Sequence, residues 1–262
     1  MPKIDMGRAW DQMAKDDSLY HFPRGGDEVE IADWLSEARV RVEAYTTDFF
    51  ASQRFSPAGR RVLEIGCGAG RQTSWLARMF ADVLAVDVSK DLLTTAQAFN
   101  TAATNVRWLH VNGEDFHEIQ DSTVDFAYSS DVFKHIPSKA IVRGLLAETR
   151  RALKPGGLLR IDLACYTSSF VKVAGVPVLP RSLLRATPSW LRYSLHRLRC
   201  LVNRQPFQPM SIHPATIGVR FRRSELPGLI RSAGLELLSV EPDRVAPGAS
   251  WKVWCMGRRP AQ

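Results

Sequence analysis

Three patterns in this chain place residues suited to chemistry directly after apolar runs. In the first, Glu64-Ile65-Gly66-Cys67-Gly68-Ala69-Gly70 follows Val62-Leu63. Glycines at alternate positions after a strand let the backbone turn sharply and let a ligand lie directly on the main chain, because no Cβ intervenes. In the second, Asp87 ends the run Val83-Leu84-Ala85-Val86. A carboxylate there can accept hydrogen bonds from two vicinal hydroxyls, one on each oxygen. The third is Ser129-Ser130-Asp131-Val132-Phe133-Lys134-His135-Ile136-Pro137. Imidazole has a reference pKa of about 6.5, so His135 could take a proton near neutrality. Asp131, four residues earlier, could orient it across a helical turn. The dinucleotide fingerprint would need glycine at positions 66, 68 and 71, and position 71 is Arg, so that pattern fails.

The spacing Glu-x-Gly-x-Gly-x-Gly closely resembles motif I of the class I S-adenosylmethionine (SAM) dependent methyltransferases. The resemblance implies that Glu64, Gly66, Cys67, Gly68 and Gly70 lie under the methionine part of SAM. It also implies that Asp87, with Val88 beside it, takes the ribose hydroxyls. Asn112-Gly113-Glu114-Asp115-Phe116 is similar to the family's adenine loop, with Asn112 where the family carries an acid. Adenine contact is therefore expected from Asn112 and Gly113, with a share for Glu114. Ser129 and the residues after it would run along the methionine end and face the acceptor. Many family members carry a histidine where His135 stands, so His135 is the expected general base and Asp131 its orienting partner. His21, His213 and Arg220 are further candidates for acceptor contact. The Asp-Asn pair of metal-dependent O-methyltransferases is missing, and no catalytic metal is expected.

These residues need a scaffold that brings strand ends to one edge. From Arg60 to Leu163 candidate strands (61–65, 83–87, 106–111, 124–129 and 158–163) alternate with helices starting near Arg71, Ser89 and Ser138. That alternation predicts an α/β fold with a Rossmann-like doubly wound parallel sheet. Lys154-Pro155-Gly156-Gly157 breaks the chain ahead of the fifth strand. Leu235–Glu241 and Ser250–Met256 should form a C-terminal antiparallel hairpin, making seven strands in all. The expected division is an N-terminal helical cap over 1–56, a SAM-binding core over 57–165, a helical Arg-rich insertion over 166–220, and a C-terminal helix with closing strands over 221–262. Trp10 to Ala14 reads as the start of the cap.

A chain of 262 residues can bury one large core, and its four cysteines form no Cys-x-x-Cys pair, which excludes a zinc knuckle and a disulfide framework. A reducing cytoplasm fits this cysteine usage. The N-terminus lacks the apolar centre of a signal peptide, and no apolar stretch approaches the roughly 18 residues of a membrane span. The net charge of +8 favours anionic partners, and six arginines with no acidic residue stand between Arg181 and Arg204. Mixed with Trp190 and Leu191, they suit peripheral contact with an anionic membrane, or closure over a bulky acceptor. The leading expectation is O-methylation of a small molecule, glycan or lipid-linked sugar. RNA methylation and a non-catalytic SAM-binding protein are the alternatives. Nucleic acid is disfavoured by the absence of an Asn/Asp-Pro-Pro-Tyr type motif and of any RRM or KH pattern. Oligomeric state is open.

Overall fold

The computed structural model describes residues 5–16, 28–166, 170–173, 176–180, 201, 218–243 and 251–261. The chain divides into two compact units, one of Met1–Cys165 with Pro214–Gln262, the other of Tyr166–His213.

In the larger unit, α1 (Met6–Asp16) and α2 (Glu28–Gln53) precede β1 (Arg61–Ile65). Then α3 (Arg71–Met79), β2 (Asp82–Asp87), α4 (Lys90–Phe99), β3 (Val106–His110), β4 (Val124–Ser129), α5 (Lys139–Ala152) and β5 (Leu153–Ala164) follow. The seven-stranded sheet has the order β3-β2-β1-β4-β5-β9-β8, where β8 is Glu236–Pro242 and β9 is Lys252–Arg258. β1 to β5 pair in parallel, while β9 runs antiparallel to both β5 and β8. The expected Rossmann-like sheet with a closing hairpin is therefore the observed one. The chain reverses direction across the sheet between β1 and β4, and ligands bind at such switch points beyond the strand carboxyl ends.

Why the centre of the sheet is apolar throughout follows from its two covered faces. Val62, Val83, Phe126, Tyr128 and Trp254 pack under α2 and α3, meeting Val42, Tyr45, Phe49, Phe50 and Leu76. Leu63, Leu84, Ala127, Leu159 and Cys255 face α5 and a short helix α6 (Leu226–Ser232), meeting Val142, Leu146 and Ile230. Ser89 and Ser138 cap α4 and α5 by accepting hydrogen bonds from the amides of Leu92 and Ala140.

One expectation needs correction. The Lys154-Pro155-Gly156-Gly157 segment does not separate helix from strand. β5 already starts at Leu153, which pairs with Val124, and an irregularity between Val124 and Phe126 absorbs the glycines. Most of the insertion expected to be helical falls outside the described residues; its described part holds an antiparallel strand pair, β6 (Phe170–Val173) and β7 (Val176–Pro180). Val171, Val173, Val176 and Val178 supply the β-branched character that favours strands. Residues 218–221 belong to the larger unit. The Val219 amide donates to the Ile136 carbonyl at 2.9 Å, and the Phe221 amide to that of Ala164 at 2.9 Å.

Candidate functional site

A cavity of about 300 Å³ lies beyond the carboxyl ends of β1, β2, β3 and β4. Its floor is the turn after β1. Gly66, Gly68 and Gly70 adopt φ of 74°, 55° and 80°, the left-handed region that a side chain resists. A Cβ on Gly66 would stand 2.3 Å from Val132 Cγ2, so the glycine also admits the loop after β4.

Asp87 locks this turn. Its Oδ2 accepts the Gly68 amide at 2.8 Å and its Oδ1 the Ser89 amide at 2.9 Å, so one carboxylate ties the glycine turn to the start of α4. Each oxygen keeps a second lone pair for a ligand hydroxyl. Burial raises the Asp87 pKa from the usual carboxylate range, with the amide bonds working against it. Glu64 lies deeper. Burial pushes it up to about 8, and its Oε2 accepts the Thr73 hydroxyl at 2.6 Å. Cys67 is also buried, and desolvation beside Asp87 and Glu64 holds its thiol neutral.

The cavity walls bring together Glu64, Gly66, Cys67, Gly68, Asp87, Val88, Gly113, Asp131 and His135 from the expected set. Gly70, Asn112, Glu114 and Ser129 are outside its lining. Gly70 instead starts α3, where its carbonyl accepts the Asn100 amide. The Asn112 side-chain oxygen accepts the backbone amides of Glu114 at 2.7 Å and Asp115 at 3.0 Å, which shapes the loop that presents Gly113. Ser129 donates to the Ile65 carbonyl at 2.8 Å and joins β4 to β1. Arg220 lies with its guanidinium 5.6 Å from the Trp251 ring. His21 and His213 fall outside the described residues.

Asp131 turns from His135 towards cations. Its Oδ1 accepts from Lys134 Nζ at 2.7 Å, and its Oδ2 stands 3.2 Å from Lys252 Nζ. These ammonium groups hold its carboxyl at about 2, overcoming the opposing effect of burial. The four-residue spacing failed as a guide because Asp131 itself has φ of 68° and only Phe133–His135 form a short 3-10 turn. His135 instead meets Trp10 edge to face, with ring centroids 5.1 Å apart.

Met6, Trp10, Trp34, Arg71, Gln72 and Lys134 also line the cavity. Arg71 and Gln72 directly follow the first quoted motif and Lys134 lies within the third, whereas spacing could not find Met6, Trp10 and Trp34, because α1 and α2 reach the site only through tertiary packing. Asp11 anchors α1 by accepting from the Ser89 hydroxyl at 2.6 Å. Gly7 lets α1 approach closely, since a Cβ there would lie 2.7 Å from the Val88 carbonyl oxygen. Trp34 sits under the Arg71 guanidinium at 5.5 Å. The one sequence signal was Trp10 at the head of an amphipathic segment. Among the described residues, no three His, Cys, Asp or Glu side chains are grouped as a metal would require.

Residues 63–161 match a family model described as a methyltransferase domain. The ubiquinone biosynthesis O-methyltransferase of Methylococcus capsulatus is 31% identical over 144 residues, covering 53% of this chain and 58% of that protein. The protein of the same name from Xanthomonas axonopodis pv. citri is 30% identical over 142 residues, with the same shares covered. The chain thus spans a little over half the length of the curated relatives it matches. Among solved structures, a SAM-dependent methyltransferase from Mesorhizobium loti superposes with a TM-score of 0.56 at 17% identity, covering 81% of this chain and 96% of that one. Another, from Aquifex aeolicus, gives 0.52 at 17% identity, over 86% and 98%. Those two likenesses concern the fold, and the family match lies on residues 63–161, the stretch that holds the glycine turn ending β1 and Asp87.

Proposed function

We propose that this protein is an enzyme that uses SAM to methylate a hydroxyl group on a small molecule, with His135 taking the hydroxyl proton. One observation carries the reading: a single cavity joins the glycine turn and Asp87 to the His135 ring.

The residues fit the donor. The glycine turn offers bare main chain, and Gly113 sits where a Cβ would lie 2.6 Å from Met6 Cε and 2.9 Å from Val88 Cγ1. Only a residue without a side chain lets those two side chains pack directly on this stretch of main chain. Asp87 would hold the ribose, while Val88, Val111, Phe116 and Gly113 would surround the adenine. Glu64, Cys67, Gln72 and Arg71 would surround the methionine end. SAM supplies a methyl group already activated by its sulfonium, so the protein has to align the attacking oxygen and accept its proton. Trp10 and Trp34 bound the cavity.

The relatives are named O-methyltransferases of ubiquinone biosynthesis, which favours oxygen as the atom methylated and a small acceptor. Among the described residues, no helix is long and apolar enough to cross a membrane. Glycan, lipid-linked and membrane-surface acceptors remain variants of the same chemistry. The test is isothermal titration of S-adenosylhomocysteine, followed by transfer of a labelled methyl from SAM to a panel of phenols, catechols, glycosides and RNA. Binding with label on a hydroxyl acceptor, lost in His135→Ala while binding persists, supports the reading. Absence of binding, or label on RNA alone, overturns it.

A further inference from the structure

Lys252, the first residue of β9, has 2% of its surface exposed although it carries a charge. Its Nζ stands 3.1 Å from Asp243 Oδ2, 3.2 Å from Asp131 Oδ2 and 3.7 Å from Asp162 Oδ2. The rings of Tyr45 and Trp254 each lie 5.2 Å from it. Burial alone would strip the proton from such an amine, but the surrounding carboxylates raise its pKa above the ordinary lysine value.

The cluster reaches the candidate site through Asp131. Asp162 Oδ1 accepts the Asp131 amide at 2.6 Å, so both the main chain and the side chain of Asp131 are held. Asp131 has φ of 68°, in the left-handed region that a non-glycine residue keeps where its surroundings impose it. The chain leaving Asp131 is then fixed at successive points. Val132 presses on Gly66, and Gly218 packs so closely that a Cβ there would overlap the Lys134 carbonyl and approach His135 Cα to 2.7 Å. The Val219 amide binds the Ile136 carbonyl.

We infer that Lys252 is a positioning residue: bound to Asp131, Asp162 and Asp243, it fixes the left-handed kink after β4 and thereby sets His135 against Trp10 at the cavity. This rests on the reading of His135 as the base, and it extends that role to a residue in the last strand of the sheet. Lys252 touches neither donor nor acceptor and acts through the loop alone.

Full-length protein with 13C-labelled histidine tests it by NMR. The His135 ring resonance, assigned by its loss in His135→Gln, lies beside the Trp10 indole and reports their separation. In Lys252→Met, with folding checked by circular dichroism and thermal melting, the expected result is a His135 resonance displaced by more than its linewidth. S-adenosylhomocysteine affinity should stay within about threefold, turnover should fall through kcat rather than KM, and Lys252→Arg should recover the resonance. Should Lys252→Met fail to fold, Asp131→Asn at the partly exposed end of the cluster carries the test with the same expectation. A His135 resonance that coincides with wild type in the folded variant overturns the inference. Failure of the functional reading is a separate outcome, marked by wild-type protein that does not bind S-adenosylhomocysteine.

Discussion

The two sides of the cavity are built by different means. The side proposed for the donor, from Gly66 to Asp87 and Gly113, is mostly main chain, and its few side chains are bound within short stretches or to the adjacent strand. The other side, holding His135, is assembled from α1, the loop after β4, residues 218–219 and the buried charge on β9, none of them neighbours in sequence. A ligand common to a whole family can be met by backbone geometry, whereas an acceptor peculiar to one protein is met by side chains that distant packing must aim.

Substitutions can separate the two sides. The largest expected effect is Gly66→Val. Positive φ and the collision with Val132 would distort both sides at once, and titration calorimetry should detect no S-adenosylhomocysteine binding. Next is His135→Ala, where kcat should fall about 10²–10⁴-fold with donor affinity retained, as measured by methyl transfer beside calorimetry. A fall in affinity of the same size would place His135 on the donor side instead. Asp87→Ala should weaken donor binding about 10–100-fold by removing a charged acceptor shared by two amides and the ribose, leaving acceptor KM unchanged.

Smaller effects sharpen the boundary. Glu64 carries its proton up to about pH 8 in the folded chain, against an ordinary 4.5 when unfolded. The stability this contributes is complete below about pH 4.5 and is lost as pH rises through about 8. Thermal melts across that window should show the ligand-free protein weakening with pH, and Glu64→Gln should flatten the slope. A slope that is unaltered would remove Glu64 from the buried donor side. The smallest change is expected of Asn112→Ala, about 1 kcal/mol of stability from the lost loop bonds, with donor affinity little altered. A tenfold loss of affinity there would show that Asn112 contacts adenine after all.

The same contrast explains what the sequence discloses. Strand runs such as Val83–Val86 and the glycine spacing after Ile65 are local, and from them follow the sheet, its switch point and the placement of Gly66, Gly68 and Asp87. The closing hairpin was visible as two apolar runs near the C-terminus. Helical spacing does not apply at Asp131, whose φ is positive; its carboxylate binds Lys134, three positions on, and Lys252, 121 positions away. Asn112 has the right residue type at the right strand end, but its oxygen serves its own loop. Met6 and Trp34 carry no signal of their own, since any amphipathic helix holds such residues. β6 and β7 could have been read from alternating valines.

Asp87 has one more consequence. With Gly68 and Ser89 already converging on its carboxylate, the turn has the same restraints before and after an encounter. The loss of chain freedom is met while the protein folds, so little of the attraction between nucleoside and pocket is consumed in ordering the loop. On the proposed reading, the nucleoside then docks onto a finished template.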